Sequence, residues 1–62
     1  MGAERRKIVV KRAERGWTQE DLSKRTKLTQ STISRIERGH PCTSSALDKI
    51  AAAFGCPVGD LL

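Results

Sequence analysis

Gly16, Gly39 and Gly55 each close a run of helix-forming residues, and this punctuation constrains the chain more than any other feature. A helix often ends with a glycine just past its last turn, where the backbone turns left-handed and a Cβ is unwelcome. Read this way, "ERRKIVVKRAER" stops at Gly16, "TQSTISRIER" at Gly39 and "ALDKIAAAF" at Gly55. Side-chain oxygens mark the starts. Thr18 opens "WTQEDLSKRT" with Asp21 at capping-box spacing, although Asp is shorter than the usual Glu or Gln. Thr29 is expected to cap the third helix and Ser44 or Ser45 the fourth, after the loop "HPCTSS". Pro57 suits the first turn of a last helix, "VGDLL". No segment alternates as a strand does. The expectation is all-α: a compact five-helix bundle forming one domain over residues 1–62.

Helical periodicity then assigns the core. Aromatics are 3% of the chain, so packing rests on Leu, Ile, Val and Ala. The fourth helix presents Leu47, Ile50, Ala51 and Phe54 at i, i+3, i+4 and i+7. Trp17, Leu22, Leu28, Val58 and Leu61 are expected to fill the remainder. In the first helix Arg12 falls between the directions of Ile8 and Val9; in the third, Glu37 falls beside Ile33 and Ile36. A buried charge without a partner costs several kcal/mol. Arg12 and Glu37 are therefore expected to pair, the alternative being that both helices rotate and both charges reach water.

The opposite side of the third helix is polar. Ser31 and Arg35 point away from the core, Ser34 and Arg38 flank them, and Gln30 sits at the side of the first turn. No acid interrupts these five. The net charge of +5 and the pI near 9.9 favour a polyanionic partner. Gln pairs bidentately with adenine, Arg with guanine, and Ser or Thr with either, so this face suits a DNA major groove. Lys27, Leu28 and Thr29 alone separate it from the second helix, the short joint of a helix-turn-helix. The free N–H groups near Thr18 and Gln19 give a partial positive charge suited to a phosphate.

"GWTQEDLSKRTKLTQSTISRIERG" resembles the helix-turn-helix of the phage Cro and repressor family, the XRE family, and the likeness runs from about Ile8 to Leu62. The resemblance implies a lambda-repressor-like bundle of five helices and a sequence-specific transcription regulator, with repression as the expected effect. It implies that Gln19 touches a phosphate and braces the first residue of the recognition helix. Gln30, Ser31 and Thr32 match leading base-reading positions, Arg35 a base-reading site one turn later, and Arg38 a position that often touches the backbone. Arg12 and Glu37 match a buried ion pair of phage repressors. The base-reading set is therefore Gln30, Ser31, Thr32, Ser34 and Arg35; the phosphate set is Thr18, Gln19, Lys27, Arg38 and His40. Ser23 stands where the family usually has Ala, Thr26 where it has an aliphatic residue, and Lys27 where Gly is common. A left-handed Lys27 costs roughly 1 kcal/mol relative to Gly.

The expected partner is double-stranded DNA carrying a palindromic operator, bound by a homodimer that is monomeric when free. Val58, Leu61 and Leu62 either join subunits or close the monomer core. With one His, no Tyr and no phosphate-binding glycine loop, the chain is not expected to be an enzyme. No cofactor is implied, and His40, Cys42 and Cys56 match no zinc spacing. Cys42 and Cys56 read as reduced thiols, although sequence does not give their separation. No membrane span or signal peptide is visible, so the expected place is the cytoplasm, as a bacterial or phage-encoded, nucleoid-associated protein. The rival reading is a protein-interaction module, such as an antitoxin or adaptor, on the same fold.

Overall fold

The structure, a computed structural model, describes residues 6–62. Four α-helices follow one another: α1 Arg6–Glu14, α2 Gln19–Thr26, α3 Gln30–Glu37 and α4 Ser44–Phe54. A 3-10 turn, Val58–Leu61, ends the chain. Glu4 and Arg5, expected to begin the first helix, lie outside the described residues. Among the described residues there is no strand.

The fifth α-helix expected from "VGDLL" is thus a single 3-10 turn. Its bonds run from Asp60 N–H to Pro57 O (3.0 Å) and from Leu62 N–H to Gly59 O (3.3 Å). Four residues containing a glycine, behind a proline, cannot complete the 13-atom rings of an α-helix. The turn nevertheless buries Leu61, which is 1% exposed.

The caps explain where the helices stop and start. After α1, Trp17 N–H bonds Arg12 O and Gly16 N–H bonds Ala13 O, each at 3.0 Å, with Gly16 at φ 68°. The same pair of bonds recurs after α3 at Gly39 and His40, and after α4 at Gly55 and Cys56. Thr18 and Asp21 form a reciprocal box: Asp21 N–H donates to Thr18 Oγ1 (3.1 Å) and Thr18 N–H to Asp21 Oδ2 (2.9 Å). At α4 the cap is Thr43, not Ser44 or Ser45. Thr43 Oγ1 accepts from Ala46 N–H at 3.1 Å, which draws both serines into the first turn.

Ile8, Leu22, Ile33, Ile36, Ile50 and Leu61 are fully buried, with Ala46, Ala51 and Phe54 around them. The inward stripe of α4 runs through Ala46, Ile50 and Phe54, so Leu47 is only half-buried at the edge. Trp17 stacks on Phe54 (centroids 5.7 Å, 11° between planes). Arg25 lies 4.1 Å from the Trp17 centroid and Arg15 4.9 Å from that of Phe54. Arg15 also donates to Phe54 O at 2.9 Å, at the otherwise open end of α4.

The joint between α2 and α3 is held by hydroxyls. Thr26, 4% exposed, donates to Leu22 O (2.8 Å) and accepts from Leu28 N–H (3.3 Å). Ser23 Oγ donates to Leu28 O. Lys27 takes φ 61°, the one positive φ of a non-glycine among the described residues.

Candidate nucleic-acid interface

α3 presents two unlike faces because its apolar residues recur at helical spacing. Ile33, Ile36 and Glu37 are buried, whereas Gln30, Ser31, Arg35 and Arg38 are exposed. Thr32 and Ser34 are half-buried at the margins. The Thr29 cap does more than accept from Thr32 N–H (3.1 Å): the two hydroxyls also bond each other at 2.8 Å. Thr32 therefore offers a fixed hydroxyl, while Gln30, Ser31 and Arg35 keep their side chains unbonded among the described residues.

Behind this surface lies one charged network. Arg12 Nε donates to Glu37 Oε2 (2.8 Å) and Arg12 Nη2 to Glu37 Oε1 (3.2 Å), a two-pronged ion pair. Arg12 Nη1 donates to Trp17 O at 3.0 Å. Gln19 Nε2 donates to Glu37 Oε1 at 2.8 Å. The pair ties the end of α1 and the start of α2 to the last turn of α3. Among the described residues no buried side-chain polar atom lacks a partner.

The Gln19 bond corrects an expectation. Gln19 binds Glu37 instead of bracing Gln30, and among the described residues no hydrogen bond joins those two glutamines. Sequence held a signal for this. Gln19, Leu22 and Thr26 fall at i, i+3 and i+7, and the last two are buried, so Gln19 starts on the inward face of α2.

The phosphate candidates fall into separate groups. Thr18 and Gln19 stand together at the start of α2, where Gln19 and Glu20 N–H groups have no acceptor among the described residues. Thr18 N–H is already committed to Asp21. That bond, opposed by partial burial and aided by the Thr18 hydroxyl and the nearby Lys24 and Arg25, lowers the Asp21 carboxyl below its usual range. Glu20 and Asp21 put negative charge beside the same N-terminus and weaken its pull on an anion. Arg38 and His40 share a shallow concavity of about 280 Å³ beyond α3, shaped by Gly39 and Pro41. Lys27 lies at the other end of α2, lining a recess with Arg25 and Lys49. Sequence marked Ser23 and Thr26 only as departures from the family pattern and passed over Arg15 and Arg25; all four act on structure through bonds and ring contacts.

Of the residues considered for subunit contact, Leu61 closes the core and Val58 packs against it. Among the described residues, Leu62 (66%) and Val10 (48%) are the exposed large apolar ones. Cys42 and Cys56 are free and half-buried. Among the described residues, no three of His, Cys, Asp and Glu converge as metal ligands, and no helix is long and apolar enough to cross a membrane.

A family model described as helix-turn-helix matches residues 10–61, from within α1 to the end of the 3-10 turn. No curated protein matches the chain. The family match covers α2, the three-residue turn and α3, the elements that build the polar face. The chain belongs to the Cro/C1-type, or XRE, family of helix-turn-helix DNA-binding regulators.

Proposed function

We propose that this protein binds double-stranded DNA sequence-specifically and represses transcription, with α3 inserted in the major groove. The observation that carries the reading is the exposed, acid-free row of Gln30, Ser31, Arg35 and Arg38, directly opposite buried Ile33, Ile36 and Glu37. Gln30, Ser31, Thr32, Ser34 and Arg35 read base edges; Thr18, Gln19, Lys27, Arg38 and His40 meet phosphates. Thr32 acts through a hydroxyl fixed by Thr29, and Gln30 through an amide free to choose its rotamer. A single α3 of eight residues spans few base pairs. Two copies on a palindromic operator, with half-sites about 34 Å apart, supply the missing length. With Leu61 committed to the core, little apolar surface remains for pairing among the described residues, which supports a monomer in solution and a dimer on its operator. The site of action is the bacterial or phage nucleoid, in the cytoplasm.

The test is selection of bound duplexes from a random pool, followed by titration against salt. Enrichment of a palindrome is expected, with affinity falling at a log–log slope of about −0.9 per phosphate contacted. Arg35→Ala should cost about 1–3 kcal/mol and relax preference at one base position. A pool that never enriches, or binding indifferent to salt, overturns the reading and favours a protein-interaction module.

A further inference from the structure

We infer that Glu37, buried on the inward face of α3, is a positioning residue for the phosphate contact of Gln19; this rests on the DNA-binding reading above. The argument begins with the side-chain amide. Gln19 Nε2 donates to Glu37 Oε1 at 2.8 Å, and Gln19 makes no other side-chain hydrogen bond among the described residues. An amide has a donor end and an acceptor end that are nearly equal in shape. Turned the other way, the Gln19 carbonyl oxygen would face a carboxylate oxygen, with no proton between them. Glu37 therefore selects one orientation. The remaining amide N–H is then held in a set direction at the start of α2, ready for a phosphate oxygen.

The charge of Glu37 does not repel that phosphate, because Arg12 neutralises it through two bonds of 2.8 and 3.2 Å. A neutral ion pair can orient a donor beside an incoming anion where a lone carboxylate could not. The rigid frame matters as well. Arg12 Nη1 holds Trp17 O, the residue just before the Thr18 cap, so the network fixes the backbone from which Gln19 projects. Pre-setting a flexible side chain in its bound rotamer raises affinity by removing the ordering step. Gln19 is thus held by Glu37 and does not brace Gln30, whose side chain stays unbonded among the described residues.

The experiment is a double-mutant cycle of Glu37→Gln and Gln19→Ala, read as affinity for a selected duplex and for a random duplex at fixed salt. All variants are measured well below their melting temperatures. Glu37→Gln should weaken both duplexes by about fivefold in the wild-type background and by less than about twofold when Gln19 is already Ala. Equal losses in the two backgrounds would assign Glu37 a purely structural part and overturn the inference. Glu37→Asp, which keeps the charge but shortens the reach, should show the same dependence on Gln19 and serves if Glu37→Gln does not fold. In the free wild-type protein, a through-hydrogen-bond coupling between Gln19 Nε2 and Glu37 Cδ should be measurable; its absence also overturns the inference. If the wild-type protein binds no duplex at all, the DNA reading fails and takes this inference with it, whereas an additive cycle on a tight binder defeats the inference alone.

Discussion

Removing one side of the Arg12–Glu37 pair should cost a large share of the domain's stability, while replacing both should do far less harm. Glu37 is 7% exposed and Arg12 keeps 18% of its side-chain surface. Arg12→Ala deletes three hydrogen bonds at 2.8, 3.2 and 3.0 Å and leaves a buried carboxylate with Gln19 as its remaining donor. Breaking such a pair typically costs about 3–5 kcal/mol. Arg12→Ala is expected near 3 kcal/mol on that scale, because the opened site lets some water reach Glu37. Glu37→Ala should cost about 2–3 kcal/mol, less than Arg12→Ala because the partly exposed guanidinium can turn outward. A domain of this size has a total stability of roughly 3–9 kcal/mol. Either variant should therefore melt about 10–20 °C lower. The double replacement Arg12→Met with Glu37→Leu removes both charges and refills the space, and should lie within about 2 kcal/mol of wild type. Urea titration followed by Trp17 fluorescence suits the measurement, since Trp17 is the single tryptophan and its carbonyl is a partner of Arg12. In the cycle with the Arg12→Ala/Glu37→Ala double, single losses that add to within about 0.5 kcal/mol of the double would refute the claim that the two charges depend on one another.

Lys27→Gly should raise the urea midpoint by the equivalent of about 0.5–1 kcal/mol, because φ 61° suits glycine better than lysine. If Lys27 contacts a phosphate, the same variant should flatten the salt dependence of DNA binding by about 0.9 in slope, so stability and affinity move in opposite directions. Thr43→Ala should destabilise by about 1 kcal/mol, while Ser44→Ala and Ser45→Ala stay near neutral; the reverse order in thermal melts would move the α4 cap. The ionised Asp21 supports the α2 capping box, and its folded-state pKa is lowered chiefly by the Thr18 N–H. Its contribution is present above the unfolded-state pKa and disappears as pH falls through the lowered folded value. The stability gap between wild type and Asp21→Asn should thus be constant near neutrality and close in acid, as followed by circular dichroism.

What sequence could tell depended on how local the physics was. The glycine stops, the Thr18 and Thr29 caps and the inward isoleucines are settled within one or two helical turns, and each stands where the periodicity puts it. The facing of Arg12 and Glu37 was legible too, because an inward cation and an inward acid have few other options. Three features escaped. Thr43 outcompetes Ser44 and Ser45 by a shift of one residue, well within the uncertainty of a cap drawn from three adjacent hydroxyls. The last turn is 3-10 because it has only four residues, one a glycine, behind Pro57, and within that length Leu61 still reaches the core. Helical spacing turned Gln19 inward, but that it meets Glu37 and not Gln30 follows from the orientation of α2 and α3, a carboxylate being a stronger acceptor than an amide.

That orientation is the step on which recognition turns. α2 and α3 are eight residues each, too short to hold themselves in water. Their mutual angle is set at two points: the hydroxyl-bonded joint of Ser23, Thr26 and Leu28, and the charged tie of Gln19 to Glu37 at the far ends. A hinge fixed at one end alone would swing; fixing both makes the pair a rigid corner. The exposed row on α3 and the start of α2 then keep a constant spacing, as the proposed docking on a duplex of fixed groove width demands. Loosening either tie should weaken binding to every sequence before it alters preference among them, because it blurs the frame and leaves the reading side chains intact.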